Sequence, residues 1–302
     1  SEGLYLKEHS EKYQFWPKYA LAYLYRELTR LRLSRIVSWK KPDRLEGGCT
    51  IVLGLCSKLP QVLMANLECL ERALWPEFKE LIIAVDSKEG VLEKAYVDEV
   101  LTRYKKLKPH FVYYNEKQYQ LAEKYKLPWI YCWLSWVVGM NESKTQHVLI
   151  HDYDALILSD VLEKRYKRFV EEKSVMQGVS WYWTNGLVEA DRLASTFEAF
   201  VDMAWVRRYP PIRMINQVGT LKGRRVDFDI LTEMQAHVSE ECQRGIYSVG
   251  PQELAHPTQM IHQYTVFRKA PGSKNYSASL IMIPFFQYLS GFKDVLKRTM
   301  AL

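Results

Sequence analysis

Apolar residues follow two alternating rhythms along this chain: short unbroken runs bounded by turn residues, and longer stretches with an apolar position every third or fourth residue. The runs CTIVLGL (49–55), ELIIAVD (80–86), HFVYYN (110–115) and the stretch from His147 to Ile150 predict strands, solidly apolar because both faces are buried. Between them, PQVLMANLECLERA (60–73) and residues 89–106 and 127–142 predict helices, with Pro60 tolerated in a first turn. Trp129, Trp133 and Trp136 sit in the last of these and are expected in the core. Further on, VLEKRYKRFVEEK (161–173) predicts a helix, VMQGVSWYW (175–183) a strand and AFVDMAWVRRYPP (199–211) a helix, while VGTLKGRRVDFD (218–229) reads as a loop rich in Gly, Lys and Arg. Strands alternating with helices imply right-handed crossovers and a mostly parallel sheet, hence an α/β fold.

The two ends follow a different pattern. Residues 16–41 carry Leu21, Leu24, Leu28, Leu31 and Leu33 at helical spacing, with Tyr19, Tyr23 and Tyr25 nearby and a basic opposite face. Such a helix either caps the domain or, through Trp16, Trp39 and its Lys and Arg residues, lies at an anionic membrane interface. The segment 279–302 likewise mixes aromatics with Lys293, Lys297 and Arg298. The expected division is a helical N-terminal extension (1–46), a core domain (47–270) and a helical C-terminal extension (271–302).

Composition narrows the classes. With 48% hydrophobic residues and only 14 Gly and 12 Pro in 302 residues, the chain is a folded globular protein. Its 5 Cys are scattered and form no Cys-x-x-Cys pair, which fits reduced thiols in a cytoplasmic protein. Residues 1–15 are too polar for a secretory signal, and no apolar run reaches the roughly 18 residues of a spanning helix. The expected location is therefore cytoplasmic, including the cytoplasmic membrane face. A net charge of +7 asks for an anionic partner, but the cations are dispersed and no nucleic-acid module is present, so a membrane surface or phosphorylated substrate is expected rather than DNA or RNA.

The chemistry concentrates in HVLIHDYDALIL (147–158), where an apolar strand delivers Asp152 and Asp154 at its end. Carboxylates two apart on an extended segment point the same way. Two hard oxygen donors suit Mg²⁺ or Mn²⁺, which keep positions open for substrate phosphates. The surrounding apolar stretches place the pair at the edge of a buried element and not on a loop tip.

In pattern order, residues 49–265 resemble the GT-A superfamily of nucleotide-sugar glycosyltransferases. The resemblance rests on CTIVLGLCS as first strand and loop, LIIAVDS as a second strand ending in an acid, HDYDALIL as the Asp-x-Asp strand, VDFDILTEMQ as an acid-rich helix start, and HPTQMIH near the domain's end. It implies a GT-A-like, Rossmann-type sheet flanked by helices. It further implies that Leu55, Cys56 and Ser57 meet the nucleotide base, and that Asp152 contacts ribose or metal while Asp154 chelates the metal. Asp86 would bond base or ribose, or else serve as a turn acid. A histidine, His256 or His262 with His262 preferred, would complete the metal shell, and His151 would pack beside the turn. Asp229, with Asp227 second and Glu233 weaker, would be the base of an inverting transfer; the lack of a clean Glu-Asp pair and of a Gln-x-x-Arg-Trp motif counts against inversion and against a processive synthase.

The implied activity is metal-dependent transfer of a sugar from a UDP-, GDP- or dTDP-sugar to a glycan or lipid-linked acceptor. Beside Asn185 and Gly186, Trp181 and Trp183 form a mix suited to a sugar acceptor's apolar face and hydroxyls, and equally to an ordinary strand and turn. A non-catalytic nucleotide- or glycan-binding module on the same fold is the alternative. The loop CSKLPQ after the first strand lacks the Gly-rich basic character of nucleotidyltransferases.

Overall fold

A computed structural model describes residues 13–40, 44–238 and 243–256. In chain order the elements are α1 (Trp16–Leu33), β1 (Glu46–Leu55), α2 (Gln61–Arg72), β2 (Phe78–Val85), α3 (Lys94–Arg103), β3 (Pro109–Tyr113), α4 (Glu116–Tyr125), α5 (Pro128–Glu142), β4 (Thr145–Asp152), β5 (Leu156–Ile157), α6 (Val161–Glu171), β6 (Met176–Gly178), β7 (Glu198–Asp202), α7 (Met203–Val206), β8 (Gln217–Leu221), β9 (Arg224–Phe228), α8 (Thr232–Ala236), β10 (Arg244–Ile246) and β11 (Leu254–Ala255).

Seven strands form one sheet in the order β10-β6-β7-β4-β1-β2-β3. The β1–β2, β2–β3, β1–β4 and β10–β6 pairs are parallel, and β7 alone runs against its neighbours β4 and β6. The expected mostly parallel α/β sheet is therefore present. Alternation along the strands divides the core in two. Ile51, Leu53, Leu81, Ile83 and Leu149 point into a layer with residues of α2, α3 and α6. Val52, Ile82, Val148 and Ile150 point the other way, against α5. Both faces are covered, which is why these strands read as solid apolar runs. At Gly139, α5 comes so close to the sheet that an added Cβ would stand 2.4 Å from Val52 Cγ1. Trp133 and Trp136 are buried in that layer, as expected, and Trp129 packs against it.

Several expectations are corrected, among them the helix expected over 16–41, which ends at Leu33. Residues 199–211 do not form one helix: Ala199–Asp202 belong to β7, buried on both faces, and Asp202 then caps the single turn α7 through its carboxylate and Trp205 N (2.8 Å). Residues 218–229 are not a loop but most of the β8–β9 hairpin, turned at Lys222 and Gly223, both with positive φ. The strand expected over 175–183 is confined to β6, followed by an isolated bridge at Trp181. Helix α4 was not anticipated, although Asn115 and Gln118 form a capping box at its start. The expected helix over 89–106 is the shorter α3 followed by a 3₁₀ turn, Lys105–Leu107. The expected C-terminal extension and His262 lie outside the described residues.

Candidate functional site

From β1 the chain moves outward to β2 and β3, then returns to lay β4 on β1's other side. That reversal opens a crevice at the carboxyl ends of β1 and β4, where open α/β sheets bind ligands. Asp152 is the last residue of β4, in register with Gly54 of β1. A tight turn follows, closed by Ala155 N on Asp152 O at 3.0 Å, and it carries Asp154. β5 then pairs antiparallel with β11, Leu156 opposite Ala255, so the next residue, His256, arrives at the turn.

His256 Nε2 lies 3.2 Å from Asp154 Oδ1 and 3.5 Å from Asp152 Oδ2. Its ring stacks on Phe197, with centroids 4.0 Å apart and planes 8° from parallel. One ligand atom from each of Asp152, Asp154 and His256 can be chosen so that all lie within 4.8 Å of one another. Burial, joined by the Asp154 charge and opposed by His256, pushes the Asp152 carboxyl up to about 6. For His256 burial works against the charged ring, but hydrogen bonds to Asp152 and Asp154 and their charges outweigh it, raising it to about 9. Two hard carboxylates and one imidazole make a donor set that fits Mn²⁺ or Mg²⁺.

A buried polar chain underlies this turn. Asn66 on α2 donates its amide Nδ2 to the carbonyls of Asp152 (3.2 Å), Tyr153 (2.7 Å) and Ala155 (2.8 Å). Its Oδ1 meets His151 Nε2 at 2.7 Å, and His151 Nδ1 bonds the Glu198 carboxylate. Arg165 of α6 donates to the other Glu198 oxygen at 2.7 Å. Asn66, His151, Arg165 and Glu198 are all fully buried. Burial alone would raise the Glu198 carboxyl; His151 and Arg165 together hold it below its ordinary value. His151 is thus packed beside the turn, as expected, whereas Asn66 and Glu198 carried no signal beyond being polar residues in apolar contexts, and Arg165 is one of several cations on a charged helix.

At the carboxyl ends of β1 and β2, Asp86 follows β2 and its Oδ1 accepts from Ser57 N at 2.8 Å, while Asp86 N bonds Leu55 O at 3.1 Å. Burial raises this carboxyl against the bonds from Ser57 and Cys56. Asp86 therefore braces the Leu55-Cys56-Ser57 loop, and the two expected groups of residues do meet. The Cys56 thiol is pushed up to about 12 by burial and the nearby Asp86 charge, so it is not a thiolate nucleophile.

Asp229 follows β9 and accepts at Oδ1 from Asn216 Nδ2 and from Ile230 N, each at 2.8 Å. Burial raises its carboxyl. The Cys132 thiol on α5 is raised by burial and then by the charges of Asp152, Asp229 and Asp154. Asp227 is engaged elsewhere, accepting from Tyr13 OH (3.0 Å) and facing Arg26 Nη2 (3.5 Å). Glu233 pairs with Arg213 at 2.6 Å and with His237. Trp181 lies under the Arg192 guanidinium, and Trp183 is 39% exposed.

No protein-family model and no curated protein matches this sequence. Solved structures resemble it in outline. The S. aureus TarS 1-349 structure is 12% identical, covering 79% of this chain and 70% of that one, with a TM-score of 0.45. The galactosyltransferase LgtC, solved with donor and acceptor sugar analogues, is 10% identical over 80% of this chain and 95% of its own, with a TM-score of 0.49. The mannosyltransferase PcManGT from Pyrobaculum calidifontis, solved with GDP-Man and Mn²⁺, is 13% identical over 99% and 86%, with a TM-score of 0.40. At such identities and TM-scores these likenesses assign neither substrate nor mechanism to this chain.

Proposed function

We propose that the protein is a metal-dependent glycosyltransferase that moves a sugar from a nucleoside diphosphate donor to a glycan or lipid-linked acceptor. The observation that carries this reading is the gathering of Asp152, Asp154 and His256 at the sheet's switch point, on a turn held by Asn66. A divalent cation held by these three side chains would stabilise the charge that develops on a departing nucleoside diphosphate. Within the chain, the loop Leu55-Cys56-Ser57, braced by Asp86, stands beside β4 at the right end of the sheet to meet the nucleotide. Asp229 is the group for the acceptor hydroxyl. Its hydrogen bonds fall on Oδ1, so Oδ2 would take the proton, and a carboxyl raised by burial is a better base near neutral pH than an ordinary one. That role makes the transfer inverting. Asp227 is bound to Tyr13 and Arg26 and serves to hold the hairpin in place.

The buried thiols of Cys49, Cys56 and Cys69 fit a reducing compartment, and the acceptor class fits the cytoplasmic face of a membrane. Thermal unfolding with UDP, GDP and dTDP, each with Mn²⁺ and with EDTA, tests the site. A metal-dependent rise with one nucleotide, absent in Asp154→Asn, is the expected result and identifies the donor base. A rise in both proteins with no transfer from any sugar nucleotide would instead favour a binding module.

A further inference from the structure

We infer that the outward face of α1 docks on an anionic lipid surface. Ordinarily an amphipathic helix turns its apolar stripe inward; α1 is mounted the other way round. Leu21, Leu24, Leu28 and Leu31 are 69%, 56%, 51% and 60% exposed. Their 3-4-3 spacing places them in one row, and the inward side instead presents Arg26, which lies 4.2 Å over the Trp129 ring, donates to Asn216 O at 3.2 Å and faces Asp227. Thr29 and Leu33 are buried beside it. A row of four leucines on a water-facing helix is an interaction surface.

Charge chooses the occupant. Lys18, Arg32 and Arg35 are exposed around the row, and the helix's single acid, Glu27, is paired with Arg30 at 2.5 Å. Exposed Phe15 and Trp16 add aromatic surface at the helix start, a mix that suits the boundary of headgroups and acyl chains. A second copy docking antiparallel through the same leucines would set Lys18 of one against Arg32 and Arg35 of the other. Residues 257–302 of this chain hold six Lys and Arg against one acid, so they too would bring positive charge to a positive rim. Anionic lipid is the partner of opposite sign. No helix among the described residues is long and apolar enough to cross a membrane. The inference extends the transferase reading by naming where the membrane of a lipid-borne acceptor is met, though the surface itself does not depend on that reading.

Flotation of the full chain with vesicles of phosphatidylcholine, alone or mixed with phosphatidylglycerol, tests it. The wild type is expected to float with the mixed vesicles and to be released by high salt. Leu24→Glu with Leu28→Glu should weaken this roughly a hundredfold, and Lys18→Gln with Arg32→Gln and Arg35→Gln at least roughly tenfold. All variants should keep the wild-type melting temperature. Absence of the wild type from both vesicles overturns the inference. So does a dimer in sedimentation that the leucine pair dissolves, or a leucine pair that lowers the monomer's melting temperature, which would show the chain covering its own leucines. Nucleotide and Mn²⁺ binding by the same preparations separates the two readings: flotation without it defeats the transferase alone, and it without flotation defeats only the docking.

Discussion

The end of β4 and helix α1 break the rule of apolar inside and polar outside in opposite senses. Beneath Asp152 and Asp154 a charged and polar chain, Arg165–Glu198–His151–Asn66, runs through the fully buried interior. On α1 four leucines face water while an arginine faces the protein. The first inversion is stable because each member finds a partner, so the desolvation of one group is offset by its neighbour. Leucines have no such partner inside this chain's described residues, and their exposure is explained by something outside it. An inward polar group thus reports what a structure must hold still, and an outward apolar row what it must touch.

That contrast can be broken most severely at Glu198. Glu198→Gln leaves the Arg165 charge buried without its counter-ion and should cost about 3–5 kcal/mol in urea unfolding. Because the Glu198 carboxyl is held below its ordinary value, its contribution is full above about pH 4.3 and fades as pH falls through its depressed folded value. The acid side of the stability profile should accordingly be flatter in the variant. Next in size is Asp154→Asn, expected to lower turnover by roughly 10²–10³ while leaving the melting temperature near wild type, read by nucleotide release from the donor. Gly139→Ala, which forces α5 off Val52 without touching either region, should cost about 1–3 kcal/mol and give the scale of an ordinary packing defect. Smallest is Leu28→Gln, within about 0.5 kcal/mol in water; a larger loss would mean the row is covered and the contrast false.

The sheet was legible in the sequence because β1, β2 and β4 are short apolar runs buried on both faces, with Asp86 and Asp152 at the carboxyl ends of β2 and β4, while the edge strand β3 is apolar though only half-buried. β7 misled because Asp202, which ends the strand and caps the turn Met203–Val206, is a single polar position inside an otherwise apolar run and so reads as part of one continuous helix. The β8–β9 hairpin was missed because its turn is Lys-Gly, lacking the Asn or Asp that ordinarily announces one. Asp152 and Asp154 could be read locally. The arrival of His256 beside them could not, since it is delivered by the pairing of β11 with β5 across about a hundred residues of chain. Leucine periodicity in α1 revealed that the helix has an apolar face, while its direction was decided by Arg26 meeting Trp129, Asn216 and Asp227.

Arg26 also ties α1 to the proposed base. It bonds the carbonyl of Asn216, whose side-chain amide holds Asp229, while Tyr13 just ahead of the helix bonds Asp227. The helix and the proposed base are therefore joined through Asn216 and the neighbouring Asp227. Once the leucines are seated in a bilayer, the altitude of Asp229 above the headgroups is fixed, and with it the length of tether an acceptor needs to reach it.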